Sequence, residues 1–212
     1  MKFDKIDVLI HNAAAFDLSQ KRQLITSENI ESIWATNHVG PVLLSNLLLN
    51  KIKNSNQGRI ITIASQGLAF QPKLSINFDD PEFRRNKFSV PKAYYQSKLA
   101  QIMYTYWFAD ELKSTEVTVN CIRVTNVKID INRYPNLPFL FRLAYKIKGS
   151  FSISPEEMAE TYAYLTLEPK LRNLTGKYFD HKKGIVKSSA YSYKKENIEK
   201  LIDLTNKYIL NS

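Results

Sequence analysis

Two apolar runs mark the first third of the chain, Asp7-Val8-Leu9-Ile10 and Arg59-Ile60-Ile61-Thr62-Ile63-Ala64, and in neither do apolar and polar residues alternate. Short unbroken runs of this kind fit strands buried on both faces of a parallel sheet. Between them, Thr26 or Ser27 can cap a helix continuing through Trp34, Val42, Leu44, Leu47 and Leu48 to about Ile52. Asn54-Ser55-Asn56-Gln57-Gly58 reads as a turn. After the second strand, a polar segment with Pro72, Asp79-Asp80-Pro81 and Pro91 leads into a helix from about Ala93 to Lys113. A third strand is expected over Val117 to Val124. Ser154-Pro155-Glu156-Glu157 has the form of a capping box with proline at the first helical position, opening a helix that ends near Glu168-Pro169. Gly176 to Asp180 reads as a short fourth strand and Glu196 to Ile209 as a closing helix.

Strands alternating with helices predict an α/β fold built on a parallel sheet with right-handed crossovers. The chain shows no repeat, low-complexity segment or linker, so its 212 residues, 44% of them hydrophobic, are expected to form one domain. Cys121 stands alone, which excludes an internal disulfide and favours a reducing compartment, the cytoplasm. No apolar run reaches the roughly 20 residues of a membrane span, and the charged start Met1-Lys2-Phe3-Asp4-Lys5 lacks a signal segment. The net charge of +10 suits an anionic partner such as a phosphorylated cofactor. Scattered lysines equally suit a solvated surface, and no zinc spacing or RNA-binding motif points to nucleic acid. His11, His38 and His181 are too dispersed to suggest a metal site.

Candidate chemistry gathers at two places. Tyr94 and Lys98 lie four residues apart, one turn of a helix, so the ammonium can favour the ionised phenol. Ser65 follows the second strand, at the carboxyl edge where open α/β sheets bind ligands. A proton donor, a tuning charge and a hydroxyl for a carbonyl oxygen suit ketone reduction or alcohol oxidation. Taken singly, Tyr94 reads first as a packing tyrosine, like Tyr95, Tyr104 and Tyr106 on the same helix, and Asn37 as an ordinary polar contact.

Four motifs in register change that picture: His11-Asn12-Ala13-Ala14; Asn37-His38-Val39-Gly40 with the leucine-rich run after it; Ser65; and Tyr94-x-x-Ser97-Lys98-Leu99-Ala100. With these the chain resembles the short-chain dehydrogenase/reductase family, most closely the branch of retinol dehydrogenases and protochlorophyllide reductases. Asn77-Phe78-Asp79-Asp80 lies between Ser65 and Tyr94 as it does in the retinol dehydrogenase branch. The resemblance implies a Rossmann-like, doubly wound parallel sheet in three α/β/α layers, and an NAD- or NADP-dependent enzyme interconverting a carbonyl and an alcohol. In that family's pattern, Tyr94 handles the substrate proton and Ser65 holds the carbonyl oxygen. Lys98 holds the nicotinamide ribose and lowers the Tyr94 pKa, and Asn37 holds a water linked to Lys98. Asn12 and Ala13 flank the adenosine half of the cofactor; Val124, Thr125 and Val127 lie on its nicotinamide and pyrophosphate side.

The chain also departs from the pattern. The family's first strand and its three-glycine turn have no counterpart before Asp7, and the six glycines form no such cluster. This implies an N-terminally truncated domain whose Asp7–Ile10 strand becomes a sheet edge. Val124 and Thr125 replace the family's Pro-Gly, Ile129 replaces a hydroxyl residue, and Asp130 brings negative charge near phosphates. A second reading is therefore a non-catalytic remnant that binds partners through its exposed edge. The segment at about 130–153, with Tyr134 to Lys148 apolar and aromatic among cations, falls where the family carries its substrate lid and suggests an apolar small-molecule substrate. The helices at 27–52 and 93–113 resemble those through which the family forms homodimers.

Overall fold

The computed structural model of the chain describes residues 3–128, 130, 149 and 152–210. Four strands, β1 (Val8–His11), β2 (Arg59–Ser65), β3 (Thr118–Val124) and β4 (Tyr178–Phe179), form one parallel sheet in the order β1-β2-β3-β4. Helix α1 (Ser32–Trp34) runs through a π-helical stretch, Ala35–Val39, into α2 (Gly40–Lys53). Helices α3 (Val90–Glu111), α4 (Pro155–Leu167) and α5 (Lys195–Leu210) follow.

The unbroken apolar runs are explained by burial on both sides. Ile60 of β2 and Val119 of β3 pack with Val42 of α2, Tyr104 and Phe108 of α3 and Ile202 of α5. Ile61, Ile63 and Ile122 face the other way, onto Met158 and Leu165 of α4. The result is the expected three-layer α/β/α arrangement. One detail differs from expectation. The strands step steadily in one direction, yet α4 lies on the face opposite α2 and α3, so the crossovers cannot all share one hand. The interior of the sheet is closed, whereas β1 is an edge strand whose Ile10 remains 36% exposed.

One boundary moved for a physical reason. The first helix does not start at Thr26 or Ser27, because Asn29 adopts a left-handed conformation (φ 60°) and Ile25 bridges to Glu31. Glu31 caps instead, accepting from the backbone N–H groups of Ile33 and Trp34 at 3.0 and 2.9 Å. Helix α4 begins where its capping box placed it, with Ser154 and Glu157 bonded reciprocally. Every residue of α3 from Gln96 to Thr105 is buried, because α5 covers it on the side away from the sheet through Leu201, Ile202 and Thr205.

His38 belongs to that packing. Its Nδ1 accepts from the Gln101 amide at 3.3 Å, its Nε2 meets the Thr205 hydroxyl at 2.8 Å, and burial lowers its pKa to about 3. His11, held by Ser45 at 2.7 Å, is likewise lowered to about 4. Both are neutral structural groups. Among the described residues no cluster could hold a metal, and no helix is long and apolar enough to cross a membrane. The Tyr134 to Lys148 segment, read from sequence as a lid, and Ile129 lie outside the described residues.

The connection from α2 into β2 has no spare room. A methyl group on Gly58 would sit 2.6 Å from both the carbonyl oxygen and Cγ2 of Ile52. Gly58→Ala should therefore cost about 1–3 kcal/mol by forcing α2 off the sheet, measured as a lower urea midpoint with an unchanged slope.

Candidate active site

Parallel pairing brings the ends of three strands to one edge. Ser65, the last residue of β2, pairs with Val124 of β3, and His11 at the end of β1 pairs with Thr62. Asn12 and Ala13 thus emerge beside Ser65, with Val124 and Thr125 on its other flank. Val127 is pinned there by a bridge to Ile153, just ahead of α4. The sequence-derived residues therefore share the carboxyl edge of the sheet, where α/β folds bind ligands.

Helix α3 delivers Tyr94 and Lys98 to this edge. A folded segment in front of the helix sets its start: Asp80 accepts from the backbone N–H groups of Arg84, Arg85 and Asn86 at 2.6 to 3.0 Å. Gln96 joins that segment to the helix by accepting from Asn77 N–H and donating to the Pro81 carbonyl. Tyr94 is half-buried among aromatic and hydroxyl groups: the Phe16 ring lies 4.4 Å from its own, Tyr95 packs edge-on at 5.3 Å, and the Ser65 hydroxyl lies nearby. Burial pushes the Tyr94 phenol above its ordinary value, and the nearby Ser65 hydroxyl works against that rise.

Lys98 is 2% exposed, and its ammonium donates to the Ile63 carbonyl of β2 at 2.9 Å, 5.7 Å from the centre of the Tyr94 ring. Burial lowers its pKa to about 8. The expectation that Lys98 lowers the Tyr94 pKa is not met in the chain alone: desolvation dominates at both groups. Two of the three ammonium hydrogens remain to be directed at a ligand.

Asn37 occupies the π-helical stretch, where Gly40 N–H bonds to Ala35 O five residues back. A Cβ on Gly40 would lie 3.1 Å from that oxygen, so glycine allows the close turn. Pro41 has no N–H to offer the Asn37 carbonyl four residues before it, which removes that carbonyl's ordinary helical donor. The Asn37 side chain is fully engaged. Its oxygen accepts from Ala15 N–H at 2.6 Å; its amide donates to Ala15 O and to Ser97 Oγ, both at 3.1 Å. Ser97 in turn donates to the Tyr94 carbonyl at 2.7 Å. The Asn37 side chain thus serves as a brace between Ala15 and Ser97.

Sequence reasoning placed Ser97 in a motif without its bracing role and missed Pro41. Each had a signal: a serine in a long apolar helix, and a proline four residues after the motif asparagine. It also missed Tyr162, which reaches from α4 to donate to Asn12 Oδ1 at 3.2 Å and whose phenol is pushed up to about 12 by burial, with nearby Tyr94 adding to the rise. Phe16 likewise could not be singled out without the fold.

Two predictions follow from these contacts. In a double-mutant cycle, Asn37→Ala and Ser97→Ala should couple by about 0.5–2 kcal/mol in chemical unfolding; additive losses would mean the brace is absent. Lys98→Met should stabilise the chain at pH 7 by about 2 kcal/mol, the net of relieved desolvation and one lost hydrogen bond. The sign is set by the depressed pKa. Below about pH 8 the buried lysine is charged in both states and the cost is complete; between there and its ordinary 10.5 the folded state has already released the proton. The variant's advantage in thermal midpoint should therefore shrink as pH rises through that window.

Comparison with known proteins agrees with this geometry. Residues 1–75 match the family model of short chain dehydrogenase. Over 176 residues the chain is 32% identical to retinol dehydrogenase 14 of Homo sapiens, covering 82% of this chain and 50% of that one. The chain spans about half the length of the curated relatives it matches. An uncharacterized protein from Mycobacterium paratuberculosis superposes with a TM-score of 0.66 at 19% identity, over 99% of this chain and 69% of that one. A protein described as a short chain dehydrogenase, from Shigella flexneri 2a and complexed with NADP, gives 0.56 at 20% identity, over 85% and 65%. With Asn37, Ser65, Tyr94 and Lys98 in order and the parallel sheet beneath them, the chain belongs to the short-chain dehydrogenase/reductase family, in its retinol dehydrogenase-like branch.

Proposed function

We propose that this edge performs NAD(P)-dependent interconversion of a carbonyl and an alcohol on an apolar small molecule. The observation supporting it is the meeting of Tyr94 with Ser65 above a buried lysine, with Asn37 bracing the helix that holds them. The residues present fit the nicotinamide side of a dinucleotide. Lys98 has donors to spare for ribose hydroxyls, Asn12 and the exposed Ala13 leave open ground at the end of β1, and Val124, Thr125 and Val127 border the other flank. A bound nicotinamide supplies or accepts the hydride.

The chain's own residues do the rest. Ser65 donates to the substrate oxygen and steadies the negative charge that develops there during reduction. Tyr94 gives its proton to that oxygen, and takes it back in the reverse direction. Its raised pKa keeps the phenol protonated, which suits the reductive direction, until a bound cofactor and the Lys98 charge draw it down. Lys98 acts as a cation, so its protonation is required. Phe16, against the Tyr94 ring, gives an approaching substrate an apolar surface.

The same reading places the protein in the cytoplasm, in keeping with its single buried thiol, Cys121. A homodimer through α2 and α3 has to use what α5 leaves uncovered, and Leu47 of α2, 69% exposed, is part of that surface. The unpaired side of β1 favours one other reading, a binding module working through its edge.

Titration of the folded chain with NADPH and NADH separates the two. Binding that weakens as pH rises through about 8, following loss of the Lys98 charge, is the expected result. Tyr94→Phe should retain binding and lower turnover of apolar ketones by about 10²–10⁴-fold. A folded chain that binds neither nucleotide would leave the binding-module reading, and preference for small charged sugars would remove the apolar substrate.

A further inference from the structure

A cavity of about 200 Å³ lies on the α3 side of the sheet, and its lining includes none of Asn37, Ser65, Tyr94 and Lys98. Its apolar wall is formed by Leu68, from the turn after Ser65, and by Leu99 and Ile102 of α3. Its polar wall holds Arg123 of β3, Lys187 and Ser189.

The polar wall is unsatisfied. Arg123 Nε and Ser189 Oγ are both buried without a hydrogen-bond partner among the described residues. The Arg123 side chain is 22% exposed, and its nearest carboxylate, Asp180 Oδ2, stands 3.7 Å from Nη2, beyond hydrogen-bond distance. The other Asp180 oxygen is taken by the backbone N–H groups of Lys182 and Gly184. Arg59, the other arginine of the sheet, is different. It donates to the carbonyls of Leu165 and Glu168 at 3.0 and 2.9 Å. Buried donors are normally paired, and leaving one unpaired costs about 1–3 kcal/mol. The cavity thus sets the Arg123 and Lys187 cations opposite a hydrocarbon wall, with no carboxylate within hydrogen-bond distance of the Arg123 guanidinium among the described residues. A water molecule could satisfy a donor, but would match neither the charge nor the apolar wall.

We propose that this cavity binds a small organic carboxylate with an apolar body. Its two oxygens would match the planar guanidinium edge of Arg123 and the Ser189 hydroxyl; Lys187 would stand at the mouth, and the hydrocarbon would lie on Leu68, Leu99 and Ile102. Leu68 and Leu99 sit next to the elements carrying Ser65 and Lys98, so an occupant packs against the rear of the reaction site without entering it.

Isothermal titration of the whole chain with sodium hexanoate tests this, with hexan-1-ol and inorganic phosphate as controls. Hexanoate should bind once per chain, at least tenfold tighter than either control. Arg123→Met should weaken it at least tenfold and Ser189→Ala at least threefold. Lys187→Gln, an exposed change that should not disturb folding, should weaken it about threefold. Tyr94→Phe should bind it like the unaltered chain, which separates this cavity from the reaction site. Absence of hexanoate binding, equal affinity for either control, unchanged binding in Lys187→Gln and Ser189→Ala, or loss of binding in Tyr94→Phe would each overturn the proposal.

Discussion

The amide of Asn37 ties together three parts of the chain that are distant in sequence. Its oxygen and nitrogen clamp the backbone of Ala15, just past β1, and its nitrogen reaches Ser97 in the middle of α3. Ser97 passes the contact to the Tyr94 carbonyl. A buried amide with all its partners is costly to disturb, because each group released would face an apolar interior. The position of Tyr94 relative to the edge of β1 is therefore fixed by hydrogen bonds, and apolar packing needs only to keep water from them. The π-helical stretch follows from the same need, since it turns Asn37 inward, and Gly40 and Pro41 make the distortion affordable to the helix.

The charged group of the site works against the fold. Lys98 lies in the interior with one carbonyl as its partner, and its low pKa measures how poorly the surroundings tolerate its charge. Neighbouring Cys121 is pushed up to about 11 by the same burial. Such a lysine has no structural justification as strong as its cost, which is the usual mark of a residue kept for binding or chemistry. His38 shows the opposite case. It too is buried, but both ring nitrogens have partners and it stays neutral, so it adds specificity to the packing of α5 at little cost.

The closing helix shapes what the chain can offer to others. By covering α3 it converts a helix that would otherwise present an apolar face into a core element, which is why α3 shows almost no amphipathic pattern in its sequence. Exposed apolar side chains include Leu44 and Leu47 of α2, Phe16 beside Tyr94 and Ile10 at the edge of β1.

Much of the fold was legible because it rests on local rules. Unbroken apolar runs announced buried parallel strands, the Ser154–Glu157 box placed the start of α4, and four motifs in register marked the family and the residues at the sheet edge. The start of the first helix was misread, since Asn29 takes a left-handed turn and Glu31 caps, a preference that propensity rules do not rank highly. The sequence could not reveal that α4 crosses to the opposite face, nor that burial outweighs the Lys98 charge in setting the Tyr94 pKa. Nor could it show that Asn37 spends its side chain on Ala15 and Ser97, or that Arg123 and Ser189 meet in one cavity. Each of these depends on which groups, far apart in the chain, are brought together and dried. The sequence by itself determined the identity of the candidate groups and their order; tertiary structure alone decided their solvation and their partners.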